Sequence, residues 1–336
     1  MDNSQEPFHE EKDEVIPSSE EVVIYPPKYQ KPATSTSNIW LRSLLSLALY
    51  LIIGYYIFPS YKIMLLITAI VMIHELGHFI AMKIFRYNDL GIFFIPLLGA
   101  YVSGSKREVS QRESTIILLA GPLPSIMIGI GFYLLWLSNP YEGFAGMSSN
   151  TIAQLFVVLN LFNLLPVYPL DGGQLLNRVF LNEDNWLSKA FIFLSIGLLC
   201  WFAWKLKFPV LYIFPAMMIF RLFGENKLHA IEKRIETEGI NTDLEYDELP
   251  DEDYWRIRNI LIEMHPSFKD VPAAPPYEYD EKEDKIMAMI QSLLHRHLIQ
   301  DVSVFGKIFI FLLWAAAAAS PWLLDMDMTF FRRLSI

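Results

Sequence analysis

The sequence predicts an all-α polytopic membrane protein with six or seven transmembrane helices and a small helical cytosolic region. Three observations predict it. Of 336 residues, 53% are hydrophobic and 19% charged, with a mean hydropathy of +0.30; an ordinary soluble domain has roughly 25% charged residues. The apolar residues gather into runs near the length of about 20 that a helix needs to cross the hydrocarbon core. The net charge of −10 is carried outside those runs: residues 1–39 hold eight acids against three lysines, and residues 240–284 hold fourteen acids against four bases. The remainder of the chain is slightly basic. This distribution makes the lipid bilayer the expected partner and excludes a basic nucleic-acid binder. A single cysteine, Cys200, excludes an internal disulfide and a thiolate metal cage.

The elements follow in chain order. Residues 1–39, rich in Glu, Ser, Thr and Pro, read as an acidic disordered tail. They lack the basic start and apolar core of a secretory signal, so membrane entry is expected through internal segments. The transmembrane domain is expected over 40–223, from the apolar runs Trp40–Phe58, Ile63–Ile84, Ser114–Leu137, Thr151–Leu170, Ala190–Trp204 and Pro209–Phe223. The last two are short and joined at Lys205-Leu206-Lys207, which leaves the total at six or seven spans, with seven favoured. Residues 224–303 form an acidic helical region. Apolar residues recur at helical spacing over Asn226–Glu238, Tyr254–Met264 and Lys285–Ile299, with a proline-punctuated connector at Pro266–Pro276. Helices packed on each other are favoured there over amphipathic helices lying on the bilayer. Val304–Leu324 is the last span, followed by a short tail at 325–336.

Orientation follows from the short-loop charges. The connection 85–113 carries Arg86, Lys106, Arg107 and Arg112, whereas Ser138–Asn150 carries no Lys or Arg. The first is therefore cytosolic. Seven spans then place the N-terminus, 171–189 and 224–303 in the cytosol, against the trend of Lys205, Lys207, Arg332 and Arg333. With no organelle-targeting signal evident, a bacterial inner (plasma) membrane is the expected location.

The second run contains His74-Glu75-Leu76-Gly77-His78, an H-E-x-x-H within an apolar helix. Positions i and i+4 share one helical face, so His74 and His78 can present two imidazoles to one tetrahedral Zn²⁺, with Glu75 beside it as general base. Ionisable groups at such depth are costly and functional by default. A third ligand must come from another segment, and Asp171 ends an otherwise uncharged run, Asn160-Leu-Phe-Asn163-Leu-Leu-Pro166-Val-Tyr-Pro169-Leu-Asp171-Gly172-Gly173. Pro166 and Pro169 break a helix, and an unwound backbone at membrane depth must be buried in protein or line a wet cavity. His229, His265, His295 and His297 show no comparable spacing with a carboxylate.

Together these residues resemble the site-2 protease family of intramembrane zinc metalloproteases, in which H-E-x-x-H in one span pairs with N-x-x-P-x-x-x-L-D-G in a later one. The chain matches both, as His74–His78 and Asn163–Gly172. The resemblance covers roughly 60–185 and implies a three-helix metalloprotease core with one zinc per chain. It implies His74, His78 and Asp171 as ligands, Glu75 as catalytic base and Asn163 as a substrate-backbone contact. It also implies that the broken apolar stretch Gly91–Gly104 forms a membrane-re-entrant loop or β-hairpin, and that Gly121-Pro122 is a small-residue packing motif. Gly99, Tyr101 and Pro166 join Asn163 as candidate substrate-binding residues. The implied activity is zinc-dependent hydrolysis of peptide bonds in or next to transmembrane segments of membrane-protein substrates. Two other classes use the same features: a zinc-binding sensor or transporter without peptidase activity, and a scaffold whose acidic cytosolic region binds a regulatory protein.

Overall fold

The computed structural model describes residues 25–30 and 38–326, apart from 59, 97, 107–108, 142, 182–185, 208 and 295–297. Most of the expected disordered tail, His295, His297 and the end of the chain lie outside the described residues.

Helices dominate. The first two apolar runs form α1 (Ile39–Ile57) and α2 (Tyr61–Ile84). Between α2 and the third run lies an antiparallel hairpin, β1 (Asn88–Ile95) and β2 (Gly99–Ser105), in register from Ile95↔Gly99 to Gly91↔Ser103, with a shift before the last pair, Asn88↔Ser105. It is anchored through β1: the Phe94 amide donates to Ser46 Oγ of α1 (3.1 Å), and Tyr50 packs on Phe94 with ring centroids 5.7 Å apart. β2 pairs with no further strand among the described residues. A two-residue strand, β3 (Val109–Ser110), leads into α3 (Gln111–Ala120), whose first turn is capped by Ser110 Oγ accepting from the Glu113 amide.

The third and fourth runs depart from single straight spans. Helix α3 gives way to α4 (Pro122–Ser138) at Gly121, because Pro122 has no N–H and starts a helix better than it continues one. A short hairpin, β4 (Gly143–Phe144) with β5 (Met147–Ser148), then leads into α5 (Ser149–Asn163). The expected span 151–170 stops being helical after Asn163, and the helix restarts at Asp171 as α6 (Asp171–Leu175), continued by a wider turn over Leu176–Leu181. Pro166 and Pro169 account for the break.

Helix α7 (Trp186–Lys205) is followed by a tight turn at Pro209–Tyr212 and α8 (Ile213–Thr237). The sixth apolar run and the helix expected at 226–238 are thus one continuous element. After α9 (Asp251–Met264), α10 (Glu283–Leu293) and the short strand β6 (Leu298–Ile299), which pairs with β3, the chain ends its described part with α11 (Val304–Leu323). Among the described residues, five stretches are long and apolar enough to cross a membrane: Ile39–Ile57, Tyr61–Ile84, Gln111–Ser138, Trp186–Lys205 and Val304–Leu323. Helix α5 and the segment Pro209–Leu222 are apolar but shorter. Only 11% of the most apolar part of α1 is buried in protein, against 44% for the α3–α4 stretch, as expected if hydrocarbon solvates the outer helices.

The acidic region is a packed module. Ile231 and Ile235 of α8, Trp255, Ile257, Ile260 and Leu261 of α9, and Ile286, Ile290 and Leu293 of α10 share one buried core. Tyr25 and Tyr29 join it: residues 25–30, expected within the disordered tail, lie along the module in extended conformation. At its centre the fully buried Arg258 guanidinium is held by Glu283 (Nε–Oε1 2.8 Å) and by the Pro272 and Glu278 carbonyls. Tyr254 donates to the same carboxylate; burial, then that carboxylate, push its hydroxyl far above the usual phenol range, so it stays a neutral donor. Replacing Glu283 with Gln strands a buried cation, at a cost of about 3–5 kcal/mol. The expected outcome is a markedly lower unfolding temperature of the module, read from the fluorescence of Trp255, with the helix content of the spans unchanged.

Candidate metal centre

Helix α2 presents His74, Glu75 and His78 on its buried face, at 4%, 7% and 7% exposure. Each imidazole is oriented through Nδ1: His74 faces Asn160 Oδ1 at 2.7 Å and His78 faces the Ile117 carbonyl at 2.7 Å. Asn160 is itself oriented, since its Nδ2 donates to the Phe156 carbonyl (2.7 Å). Both Nδ1 partners are acceptors, so each ring carries its proton on Nδ1 and turns an Nε2 lone pair inward.

The unwound stretch after α5 brings Asp171 to the same point. Its main-chain polar groups are taken up by three neighbours: Trp314 of α11 donates to the Leu164 carbonyl (2.8 Å), Ser195 of α7 accepts from the Tyr168 amide (3.1 Å), and the Gln174 side chain donates to the Pro169 carbonyl (2.9 Å). Gly172 and Gly173 let the restarted helix lie directly on this loop, where a Cβ would stand 2.1 Å from the Leu164 carbonyl oxygen or 2.3 Å from the Val167 carbonyl carbon. Asp171 Oδ2 then lies 3.0 Å from His74 Nε2 and 3.3 Å from His78 Nε2, with the two Nε2 atoms 3.0 Å apart.

Three acceptor lone pairs therefore converge in a buried site, and Asp171 Oδ2 has no hydrogen-bond donor there. Such an arrangement is repulsive unless a cation sits among the three atoms. Their separations approach the edges of roughly 3.3 Å of a tetrahedron with zinc–ligand bonds of about 2.0–2.1 Å. Among the described residues this is the cluster of His, Cys, Asp and Glu side chains that can hold a metal ion, and two imidazoles with one carboxylate suit Zn²⁺ and leave one position open. Glu75, with the Val102 amide of β2 beside its carboxylate, borders that position.

The site floors a cavity of ≈ 980 Å³. Gly99, Tyr101 and Asn163 line it, as do Val102 and Pro169; Pro166, at the exposed tip of the unwound stretch, does not. The candidate ligands and base thus come together, whereas the fourth candidate substrate contact lies away from them. Two contributors escaped the sequence reading. Asn160, one turn before Asn163, carried the signal of a buried amide in an apolar run. Gly121 carried none beyond its motif: a Cβ there would stand 2.5 Å from His78 Nε2 and 3.0 Å from His74 Nε2.

The sequence pattern of Peptidase family M50 matches residues 62–152, which hold the H-E-x-x-H but not Asp171. That match takes in about a quarter of the chain. The chain is a membrane zinc metalloendopeptidase, similar over 201 residues to stage IV sporulation protein FB of Bacillus subtilis (27% identity, 55% of this chain, 67% of the relative). A zinc metalloprotease of Methanocaldococcus jannaschii is 29% identical over 137 residues, 40% of this chain and 38% of that protein. The chain thus aligns with about two thirds of the first relative and well under half of the second. The solved site-2 protease from Methanocaldococcus jannaschii covers 54% of this chain and 85% of its own, at 24% identity and a TM-score of 0.39.

Within this site, Gly121→Ala is expected to displace the imidazoles and lower zinc occupancy severely, whereas Gly131→Ala, with open space around it, leaves occupancy unchanged. Asn160→Ala is expected to weaken zinc binding by about 10–100-fold, and Asn160→Asp, which can still accept from His74, to recover most of that loss. Zinc content after dialysis against graded chelator distinguishes these outcomes.

Proposed function

We propose that His74, His78 and Asp171 hold the zinc, that Glu75 is the catalytic base, and that the substrates are transmembrane segments of other membrane proteins. The convergence of three lone pairs, one of them from the buried Asp171 carboxylate, carries this reading. A zinc ion in that position supplies a Lewis acid for the scissile carbonyl and lowers the pKa of a water. Glu75 takes the proton of the water that attacks the carbonyl carbon; as the C–N bond breaks, Glu75 returns that proton to the leaving nitrogen. The Val102 amide and the indirect hold of Asn160 on His74 keep base and ligand in place during the transfer.

A helical substrate hides its carbonyls in its own hydrogen bonds and must unwind to be cut. The inward edge of β2 borders the cavity, so Gly99–Tyr101 offers main-chain groups to an extended substrate, with Asn163 lining the same cavity. The cavity's lining also includes Lys106 and Arg178. Lys106 belongs to the connection assigned to the cytosol by its charge and Arg178 to one that the seven-span count puts on the same side, which supports cleavage near the cytosolic face and release of a cytosolic fragment. The packing of residues 25–30 on the 226–294 module supports the same topology. It puts both on one side, as an even number of crossings between α1 and α8 requires. Acidic 224–303 is the proposed contact for a regulatory protein, and a bacterial inner membrane with a cytosolic N-terminus the proposed location.

The test uses protein reconstituted in vesicles with a single-span substrate tagged at each end. Glu75→Gln is expected to lower cleavage by about 10²–10⁴-fold with zinc retained, and mass spectrometry to place the cut in the cytosolic half of the span. Cleavage by Glu75→Gln at the wild-type rate would contradict the assignment and favour a zinc-binding protein whose activity lies elsewhere.

A further inference from the structure

Residues Tyr25-Pro26-Pro27-Lys28-Tyr29-Gln30 occupy a groove on the cytosolic module that is built as a peptide-binding site. Four consecutive positions each give a main-chain group to a different side chain of the module. Trp255 Nε1 donates to the Pro26 carbonyl (2.9 Å), Tyr279 donates to the Pro27 carbonyl, Asp251 Oδ1 accepts from the Lys28 amide (2.8 Å), and Tyr246 donates to the Tyr29 carbonyl (2.6 Å). At Pro26 and Pro27 the groove offers donors to both carbonyls, and proline brings no N–H that would need an acceptor. An extended segment with Pro-Pro at those positions therefore loses no hydrogen bond on docking.

Side chains add selectivity. Tyr25 packs edge-on against Tyr277, and Tyr29 against Tyr279, with centroids 5.6 and 5.3 Å apart. Trp255 stacks on Tyr279 at 11° and meets Tyr277 edge-on, so three rings form one wall. Lys28 Nζ donates to the Asp247 and Leu249 carbonyls (2.7 and 2.6 Å) and lies 5.9 Å from the centre of the Tyr246 ring, while Tyr29 donates to Asp284 (3.0 Å). The groove is acidic where the ligand is basic, although the preceding tail carries eight acids between Asp2 and Glu21. An aromatic wall that reads a pre-extended proline segment is a known way to obtain affinity at low ordering cost.

We propose that the 226–294 module is a peptide-recognition module for an extended, tyrosine-flanked Pro-Pro-Lys segment, and that Tyr25–Gln30 is its resident ligand, bound in cis. The groove is separate from the zinc site and adds a binding function to the protease. It also ties the module to the first span, because at most about 3.6 Å per residue separates Gln30 from the start of α1 at Ile39. A cytosolic segment of the same chemistry on another protein competes for the groove and frees that lead.

The test is fluorescence anisotropy with a labelled synthetic peptide of residues 22–33, titrated with three full membrane-embedded proteins in detergent: the wild type, Lys28→Glu, and a chain lacking residues 1–30. Because the cis segment competes at millimolar effective concentration, the wild type is expected to bind the peptide at least about tenfold more weakly than either of the others. Peptides carrying Lys28→Glu or Pro26→Ala/Pro27→Ala are expected to lose about tenfold in affinity for Lys28→Glu protein, a comparison that leaves the protein unaltered. Equal binding by all three proteins, equal binding of all three peptides, or no saturable binding to Lys28→Glu protein that still cleaves substrate would each overturn the proposal.

Discussion

The structure depends on three lone pairs aimed at one point inside an apolar body. His74 Nε2, His78 Nε2 and Asp171 Oδ2 lie 3.0–3.3 Å from one another, and without a cation their mutual repulsion in a low dielectric would drive them apart. The surrounding architecture serves to hold them. Helix α2 supplies the two imidazoles by its periodicity, Asn160 and the Ile117 carbonyl turn their rings, and Gly121 leaves the space they fill. The loop 164–170 carries Asp171 to them only because α7 and α11 satisfy its main chain. Hydrocarbon can cover α1 and the outer faces of α7 and α11, but it offers no hydrogen bond to an unwound backbone.

Much of this was legible in the sequence, and the legible part has a common cause. Charge is so costly in the bilayer that Glu75 and Asp171 stand out within apolar runs, and helical periodicity alone puts His74 beside His78. The prolines at 166 and 169 likewise announce an unwound segment. What escaped is three-dimensional contact. Nothing local in the sequence states that Asn160 touches His74, 86 positions away, or that Trp314 reaches back to Leu164. Pro166 looked like a substrate contact because it shares a motif with Asn163, yet the turn it helps to make points it outward.

The acidic appendages show a similar division between composition and contact. Fourteen acids against four bases over 240–284 describe a soluble surface, and composition marked the tail as unable to bury a core. Composition averages over 39 residues, however, and six of them differ: two tyrosines, two prolines, a lysine and a glutamine that fill a groove between α9, α10 and their flanking turns. The tail thus contains an ordered segment because its partner lies more than 200 residues later in the chain.

The most direct test of the metal centre is zinc-edge X-ray absorption of the purified, zinc-loaded chain. A shell of nitrogen and oxygen neighbours at about 2.0–2.2 Å, with outer-shell scattering from two imidazoles, is the predicted spectrum, and Asp171→Ala should remove one light neighbour while both imidazoles stay. A sulfur neighbour near 2.3 Å, one imidazole or none, or a spectrum unchanged by Asp171→Ala would contradict it.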